Sequence, residues 1–101
     1  EKAAAQNSAP AQYNLGVMYA NAEGVSKDLA KARAWYEKAA VQGHAKAQNN
    51  LGVMYGLGQG VAKDLSKARE WFEKAATQNK DAAAAEKARQ ALDIISSEGR
   101  L

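Results

Sequence analysis

Shifted by 36 positions, residues 11–46 fall on residues 47–82 with 22 of the 36 pairs identical. The first copy carries Asn14-Leu15-Gly16-Val17-Met18-Tyr19, then Gly24-Val25, Lys27-Asp28-Leu29, Lys31-Ala32-Arg33, Trp35 and Glu37-Lys38-Ala39-Ala40. The second carries Asn50 to Tyr55, Gly60-Val61, Lys63-Asp64-Leu65, Lys67-Ala68-Arg69, Trp71 and Glu73 to Ala76. A period of roughly 20 to 50 residues marks an array of stacked units, each touching mainly its neighbours. This one feature excludes most ordinary folds of a 101-residue chain.

Inside each copy the apolar spacing is helical. Ala11, Leu15, Met18, Tyr19 and Ala22 recur at three- and four-residue intervals, as do Ala47, Leu51, Met54 and Tyr55, which predicts a first helix, A. Gly24, or Gly56, Gly58 and Gly60 in the second copy, is read as the break that follows. Asp28 and Asp64 are placed to cap a second helix, B. Its apolar stripe is Leu29, Ala32, Tyr36, Ala39 and Ala40, with Trp35 at the margin. The second copy has Leu65, Ala68, Phe72, Ala75 and Ala76, with Trp71 at the margin. Gly43 supplies a left-handed stop after helix B, a role given to Asn79 in the second copy. Gly16 and Gly52 lie mid-helix, at a cost of about 1 kcal/mol relative to alanine, which a close helix contact there would justify.

The same ruler reads the ends. Glu1-Lys2-Ala3-Ala4 matches Glu37-Lys38-Ala39-Ala40, so residues 1–8 are expected to be the tail of a preceding helix B whose own first helix is missing. After residue 82 the period fails: Lys87 falls where Leu15 and Leu51 would recur. The segment from Asp81 to Ser97 reads as a terminal helix with Ala84, Ala88, Ala91, Leu92 and Ile95 on its apolar side. The expected division is a helix tail over 1–8, repeats over 9–44 and 45–80, and a C-terminal capping helix and tail over 81–101.

Composition agrees with an all-α class. Alanine supplies 24 residues of the 47% hydrophobic content, and only one proline is present. Alanine is the best helix former, and small side chains let helices approach closely. With no cysteine there is no disulfide framework and no thiolate metal site. No run approaches the roughly 18 apolar residues of a membrane-spanning helix. The balance of 14 basic and 11 acidic residues is a mixed surface.

The motifs Leu-Gly-x-Met-Tyr, Gly-Val-x-Lys-Asp, Lys-Ala-x-x-Trp-Tyr-Glu-Lys-Ala-Ala and Gln-Gly-His-Ala resemble those of the Sel1-like repeat, a relative of the tetratricopeptide repeat. The resemblance covers nearly all of residues 1–82 and recurs in phase. It implies a right-handed superhelix of helical hairpins, an α-solenoid used as an adaptor or scaffold for other proteins. Some bacterial members pin each hairpin with a disulfide; here the hairpins must hold by packing alone.

In the family, helix A lines the concave face. That places Tyr13, Asn14, Val17 and Asn21 from the first copy, and Asn49, Asn50, Val53 and Leu57 from the second, in a partner-binding groove. Asparagine offers one acceptor and two donors to a peptide backbone, and the apolar members offer contacts removed from water. Asn14 and Asn50 have a second reading, as ties between adjacent helices. Tyr13, Asn21, Asn49 and Leu57 differ between the copies, so partner choice can tune them. Residues 9–22 and 47–62 hold no charge, whereas Lys27, Lys31, Arg33, Glu37 and Lys38 gather in or before helix B with their second-copy partners. That interleaving, with Arg33 and Glu37 at i,i+4 spacing, reads as a solvated convex face rather than an RNA-binding one. Trp35 and Trp71, in register with the core, read as structural.

Nothing points to catalysis. His44 is the lone histidine and has no second histidine or cysteine with which to share a metal. The stretch Gly56-Leu57-Gly58-Gln59-Gly60 joins two helices with no strand before it, unlike a phosphate-binding loop. The expected function is a non-catalytic protein-interaction module, binding a partner peptide or helix without cofactor, metal, nucleic acid or membrane insertion. The alternative is a structural spacer that stacks on further repeats, a monomer or weakly self-associating through exposed repeat ends. The compartment is open, with a bacterial periplasmic or secreted setting compatible with the resemblance.

Overall fold

A computed structural model of the chain describes residues 8–21, 28–77 and 81–99. The described residues form helices α1 (Ala9–Asn21), α2 (Leu29–Val41), α3 (Ala45–Leu57), α4 (Leu65–Ala76) and α5 (Ala82–Gly99), with no strand among them. α1 with α2 and α3 with α4 form two hairpins, and α5 closes the stack against α4 and α3. The all-α solenoid and its C-terminal capping helix are as the repeat implies. The expected tail over 1–8 falls, except for Ser8, outside the described residues, as do Ala22, Gly24, Lys27 and Asn79.

Each helix start is set by a side chain three residues upstream of a free amide. Asp28 Oδ1 accepts from the Lys31 N–H at 3.0 Å and Asp64 Oδ1 from the Lys67 N–H at 3.1 Å, the caps expected for helix B. Asp81 serves α5 in the same way, accepting from the Ala84 N–H at 3.0 Å. The cap residues also close the hairpins, because the Asp28 N–H donates to the Tyr19 carbonyl and the Asp64 N–H to the Tyr55 carbonyl.

Gly43, at φ 92°, ends α2 as expected. The stop after α3 differs from expectation: Gly56 is helical, the helix runs on to Leu57, and Gly58 at φ 72° is the left-handed cap. The physical reason is that a single glycine weakens a helix without breaking it; the break requires the positive φ two residues later, at Gly58.

Glycine has a different role at the middle of the A helices. A Cβ on Gly16 would lie 2.6 Å from two ring carbons of Tyr36, and one on Gly52 would lie 2.6 Å from Cζ of Phe72. Each hairpin is therefore closed by an aromatic ring of helix B seated in a notch on helix A. Alanines complete the contact: Ala32, Ala39, Ala47, Ala68, Ala75 and Ala88 are all fully enclosed. Buried alanines let the helix axes approach, and the aromatic rings fill what remains.

The core pattern is as read for α3, where Ala47, Leu51, Met54 and Tyr55 are buried. In α1 it is not. Tyr13, Val17, Tyr19 and Ala20 pack against the core, while Leu15 and Met18 do not join it. The helices that cover α1 among the described residues, α2 and the start of α3, meet it through Gln12, Tyr13 and Gly16. Leu65, read as a stripe residue, is 37% exposed at the first turn of α4.

Two glutamines sit inside this apolar setting at equivalent positions, Gln12 and Gln48. Gln12 Oε1 accepts from Gln42 Nε2 at 2.7 Å, and Gln48 Nε2 donates to the Ala40 carbonyl at 3.1 Å. Both bonds link helix A to the last turn of α2 or its cap, satisfying groups whose burial would otherwise be costly.

Candidate binding face

The outward stripe of α3 consists of Lys46, Asn49, Asn50, Val53 and Leu57, spaced to share one side of the helix. Val53 is 44% and Leu57 65% exposed. Three depressions lie along this stripe. The first, about 270 Å³, is lined by Tyr13, Lys46, Asn49, Asn50, Asp81 and Lys87 among others. The second, about 190 Å³, lies towards α1, between Ala20, Leu29, Tyr36, Asn50, Val53 and Gln59. The third, about 240 Å³, lies towards α5, against Val53, Leu57, Leu65, Phe72, Ile94 and Ile95.

The second and third depressions are related by the repeat. Ala20, Leu29, Tyr36 and Gln59 of one correspond, 36 positions on, to Gly56, Leu65, Phe72 and Ile95 of the other. The same crevice between successive A helices is thus lined with a phenol and amides once, and with aliphatic and phenyl groups the next time.

Of the eight residues expected in the groove, the structure gathers Tyr13, Asn49, Asn50, Val53 and Leu57 around α3. It leaves Asn14 and Asn21 exposed on α1, and Val17 half-buried against the core, outside all three depressions. Tyr13 is not a free contact. Its ring stacks on His44 at 4.8 Å between centroids and meets Tyr36 at 5.6 Å, because α2 and the start of α3 close over that side of α1.

The two second-copy asparagines are engaged as ties. Asn49 Nδ2 donates to the Ala84 carbonyl at 2.8 Å, joining α3 to α5, and its Oδ1 is enclosed with no hydrogen-bond partner among the described residues. Asn50 shares a hydrogen bond with the hydroxyl of Tyr36, whose burial pushes its ionisation above the ordinary tyrosine range while the Asn50 bond works the other way. Of the two readings of Asn50, the structural tie is therefore present.

His44, which stands alone as a histidine in the sequence, is a structural residue. Its Nδ1 accepts from the Ala47 N–H at 3.2 Å and so caps α3. Partial burial lowers its pKa, the ammonium of Lys46 lowers it further, and the carboxylate of Asp81 opposes both. Capping needs a bare Nδ1, so the neutral imidazole is the form the fold uses.

The lysines of helix B are occupied. Lys31 lies 5.4 Å from the Tyr19 ring centroid and Lys67 5.7 Å from that of Tyr55; Lys38 stands 4.7 Å over Trp35 and Lys74 5.6 Å over Trp71. Arg33 pairs with Glu37 at 2.9 Å. The cations recur because their aromatic partners recur. Among the described residues no cluster of His, Asp or Glu could hold a metal ion, and no helix is long and apolar enough to cross a membrane.

The model of the Sel1 repeat matches residues 9–44 and again residues 45–80. The chain belongs to the Sel1 repeat family. A crystal structure of a Sel1 repeat protein from Oxalobacter formigenes superposes with a TM-score of 0.83 at 40% identity, over 93% of this chain and 37% of that one. A protective antigen of uropathogenic Escherichia coli with an SLR fold gives 0.74 at 49% identity, over 78% of this chain and 17% of that one. Cysteine rich protein B of Helicobacter pylori gives 0.72 at 34% identity, over 79% of this chain and 59% of that one. This Sel1 repeat chain thus spans less than two thirds of each. No curated protein matches the chain significantly. Sel1 repeats are in general helical protein-interaction modules without catalytic activity.

Proposed function

We propose that this Sel1 repeat segment is a non-catalytic adaptor that binds a partner peptide or helix along the outward face of α3, between the A helices of successive units. The observation that carries the reading is the exposure of Val53 and Leu57 beside crevices that the fold leaves open on both sides of α3. Val53 and Leu57 stand at adjacent turns of one helix and, with Ile94 across the crevice, make a contiguous exposed apolar patch rather than scattered single residues. Lys46 is the only charge on α3, so the face is suited to peptide backbone and apolar side chains. Tyr13, Asn49 and Asn50 contribute mainly by shaping the floor, since each is already held by a neighbour.

The test is a peptide-display selection against the 101-residue chain, followed by titration of the selected peptides onto Val53→Asp and Leu57→Asp. Both sites are exposed, so helical content and melting should be kept. Peptides that bind the native chain and lose at least tenfold in affinity, about 1.4 kcal/mol, on either variant support the groove. A selection whose peptides bind the variants equally well would exclude it.

A further inference from the structure

The face of α3 is electrostatically lopsided, and the proposal that follows rests on the groove reading above. At its N-terminal end, Lys46 of α3 and Lys87 of α5 flank the first depression, with the Asn50 amide beside them. Both lysines are exposed, and neither has a carboxylate partner within salt-bridge distance among the described residues. Asp81 lines the same depression and caps α5 through the Ala84 N–H; its charge offsets one of the two lysines and leaves a net positive charge there. Glu86, next to Lys87 in α5, is engaged by Arg89 at 3.2 Å. The N-termini of α3 and α5 both open at this end, adding a positive field from their aligned peptide dipoles. At the other end the third depression is apolar, walled by Leu57, Leu65, Phe72, Ile94 and Ile95. Ile94 is 59% exposed there, and no charged side chain lines that depression.

Charge complementarity therefore selects both an occupant and its direction. From Lys46 to Leu57 is eleven helical steps, about 16 Å at the helical rise, and an extended peptide crosses that span in about five residues. We propose that the groove takes an extended acidic-aliphatic peptide: a carboxylate between Lys46 and Lys87, and a branched aliphatic side chain about five residues away over Leu57 and Ile94. The Val53 side chain lies under the intervening backbone.

The experiment is fluorescence anisotropy with the full 101-residue chain and a labelled heptapeptide, Glu-Glu-Ser-Gly-Ser-Gly-Ile, made in both chain directions. Controls carry lysine for each glutamate, serine for isoleucine, or a spacer shortened to two residues. One direction of the parent peptide should bind. Replacing its glutamates should weaken binding about tenfold at low ionic strength, and the difference should shrink as salt is added. The double variant Lys46→Glu/Lys87→Glu should lose affinity for the acidic peptide and gain it for the lysine peptide, a swap that misfolding cannot produce. Leu57→Asp/Ile94→Asp should abolish the preference for isoleucine. Equal binding of the acidic and basic peptides, or no binding of either parent direction, would overturn the proposal. If display-selected peptides still depend on Val53 without favouring acidic residues, the charge assignment falls and the groove stands. If no peptide depends on Val53, both fall.

Discussion

Alanine at Gly52 opposes two effects of known sign. Helix propensity alone favours the substitution by about 1 kcal/mol. Packing opposes it, because the new Cβ would stand 2.6 to 2.8 Å from three ring carbons of Phe72, against a comfortable carbon separation of about 3.5 to 4.0 Å. The ring is 5% exposed and enclosed by the core, so it cannot swing into water. Relief must come from moving α3 and α4 apart by roughly 1 Å, the kind of overpacking that costs about 1 to 3 kcal/mol. The net expectation is a loss of about 1 kcal/mol. Gly16→Ala should behave alike, since its Cβ would meet the Tyr36 ring at 2.6 Å. Gly56→Ala is the internal control: its nearest neighbour is Ala68 Cβ at 3.7 Å, an ordinary contact, so only the propensity gain remains. Urea unfolding followed by circular dichroism reads the difference. With a slope of about 1 to 2 kcal/mol per molar for a chain this size, the midpoint should fall by roughly 0.5 to 1 M for Gly52→Ala and rise by a similar amount for Gly56→Ala. In a Phe72→Leu background most of the Gly52→Ala penalty should vanish, a coupling of about 1 kcal/mol. A midpoint that rises for Gly52→Ala as it does for Gly56→Ala would refute the notch as the element that closes the hairpin.

Asp64→Ala should cost about 1 kcal/mol by removing the α4 cap, and the same change at Asp28 should cost about as much, measured by urea midpoint. Asn50→Ala should destabilise by about 1 kcal/mol by leaving the buried Tyr36 hydroxyl unpaired, and the effect should shrink in a Tyr36→Phe background if the bond is the cause. His44 sets a pH dependence. Its folded pKa lies below the unfolded value of about 6.5, so the unfolded chain binds the proton more readily. Stability is then full above pH about 6.5 and declines as pH falls towards the folded pKa. Thermal melts between pH 7.5 and 5.5 should show this decline, and His44→Asn, which keeps a capping side chain, should flatten it.

Most of the architecture was written in features that act locally or repeat. The 36-residue register, the Asp28 and Asp64 caps, the Gly43 stop and the alanine stripe of α5 each follow from short-range chemistry, and each is found. Even the notches at Gly16 and Gly52 announced themselves, as glycine where a helix would prefer anything else. What stayed hidden depends on which helix lies opposite. Gln12 and Gln48 look like surface residues until Gln42 and the Ala40 carbonyl are brought against them. His44 reads as a turn residue until its ring is seen to cap α3 and stack on Tyr13. The binding face suffers from the same limit. Tyr13, Asn49 and Asn50 were legible as members of the A helices, but their engagement with His44, Ala84 and Tyr36 is tertiary. Lys46, Lys87 and Ile94, which give the face its polarity, lie in three different turns and have no common motif.

The notch at the centre of each hairpin has a mechanical consequence. Ring and glycine interlock within a hairpin, and α1 with α2 and α3 with α4 pack more extensively than α2 with α3. Successive hairpins meet over the smaller α2–α3 packing, to which the Asn50–Tyr36 bond, the Gln48 bond to the Ala40 carbonyl and the Tyr13–His44 stack add ties. The joint between hairpins, being the less extensively packed, is the place where a load along the array should be taken up, so the crevices beside α3 should widen or narrow before either hairpin deforms. A longer stack of such units would adjust its curvature to whatever it holds while each hairpin keeps its shape.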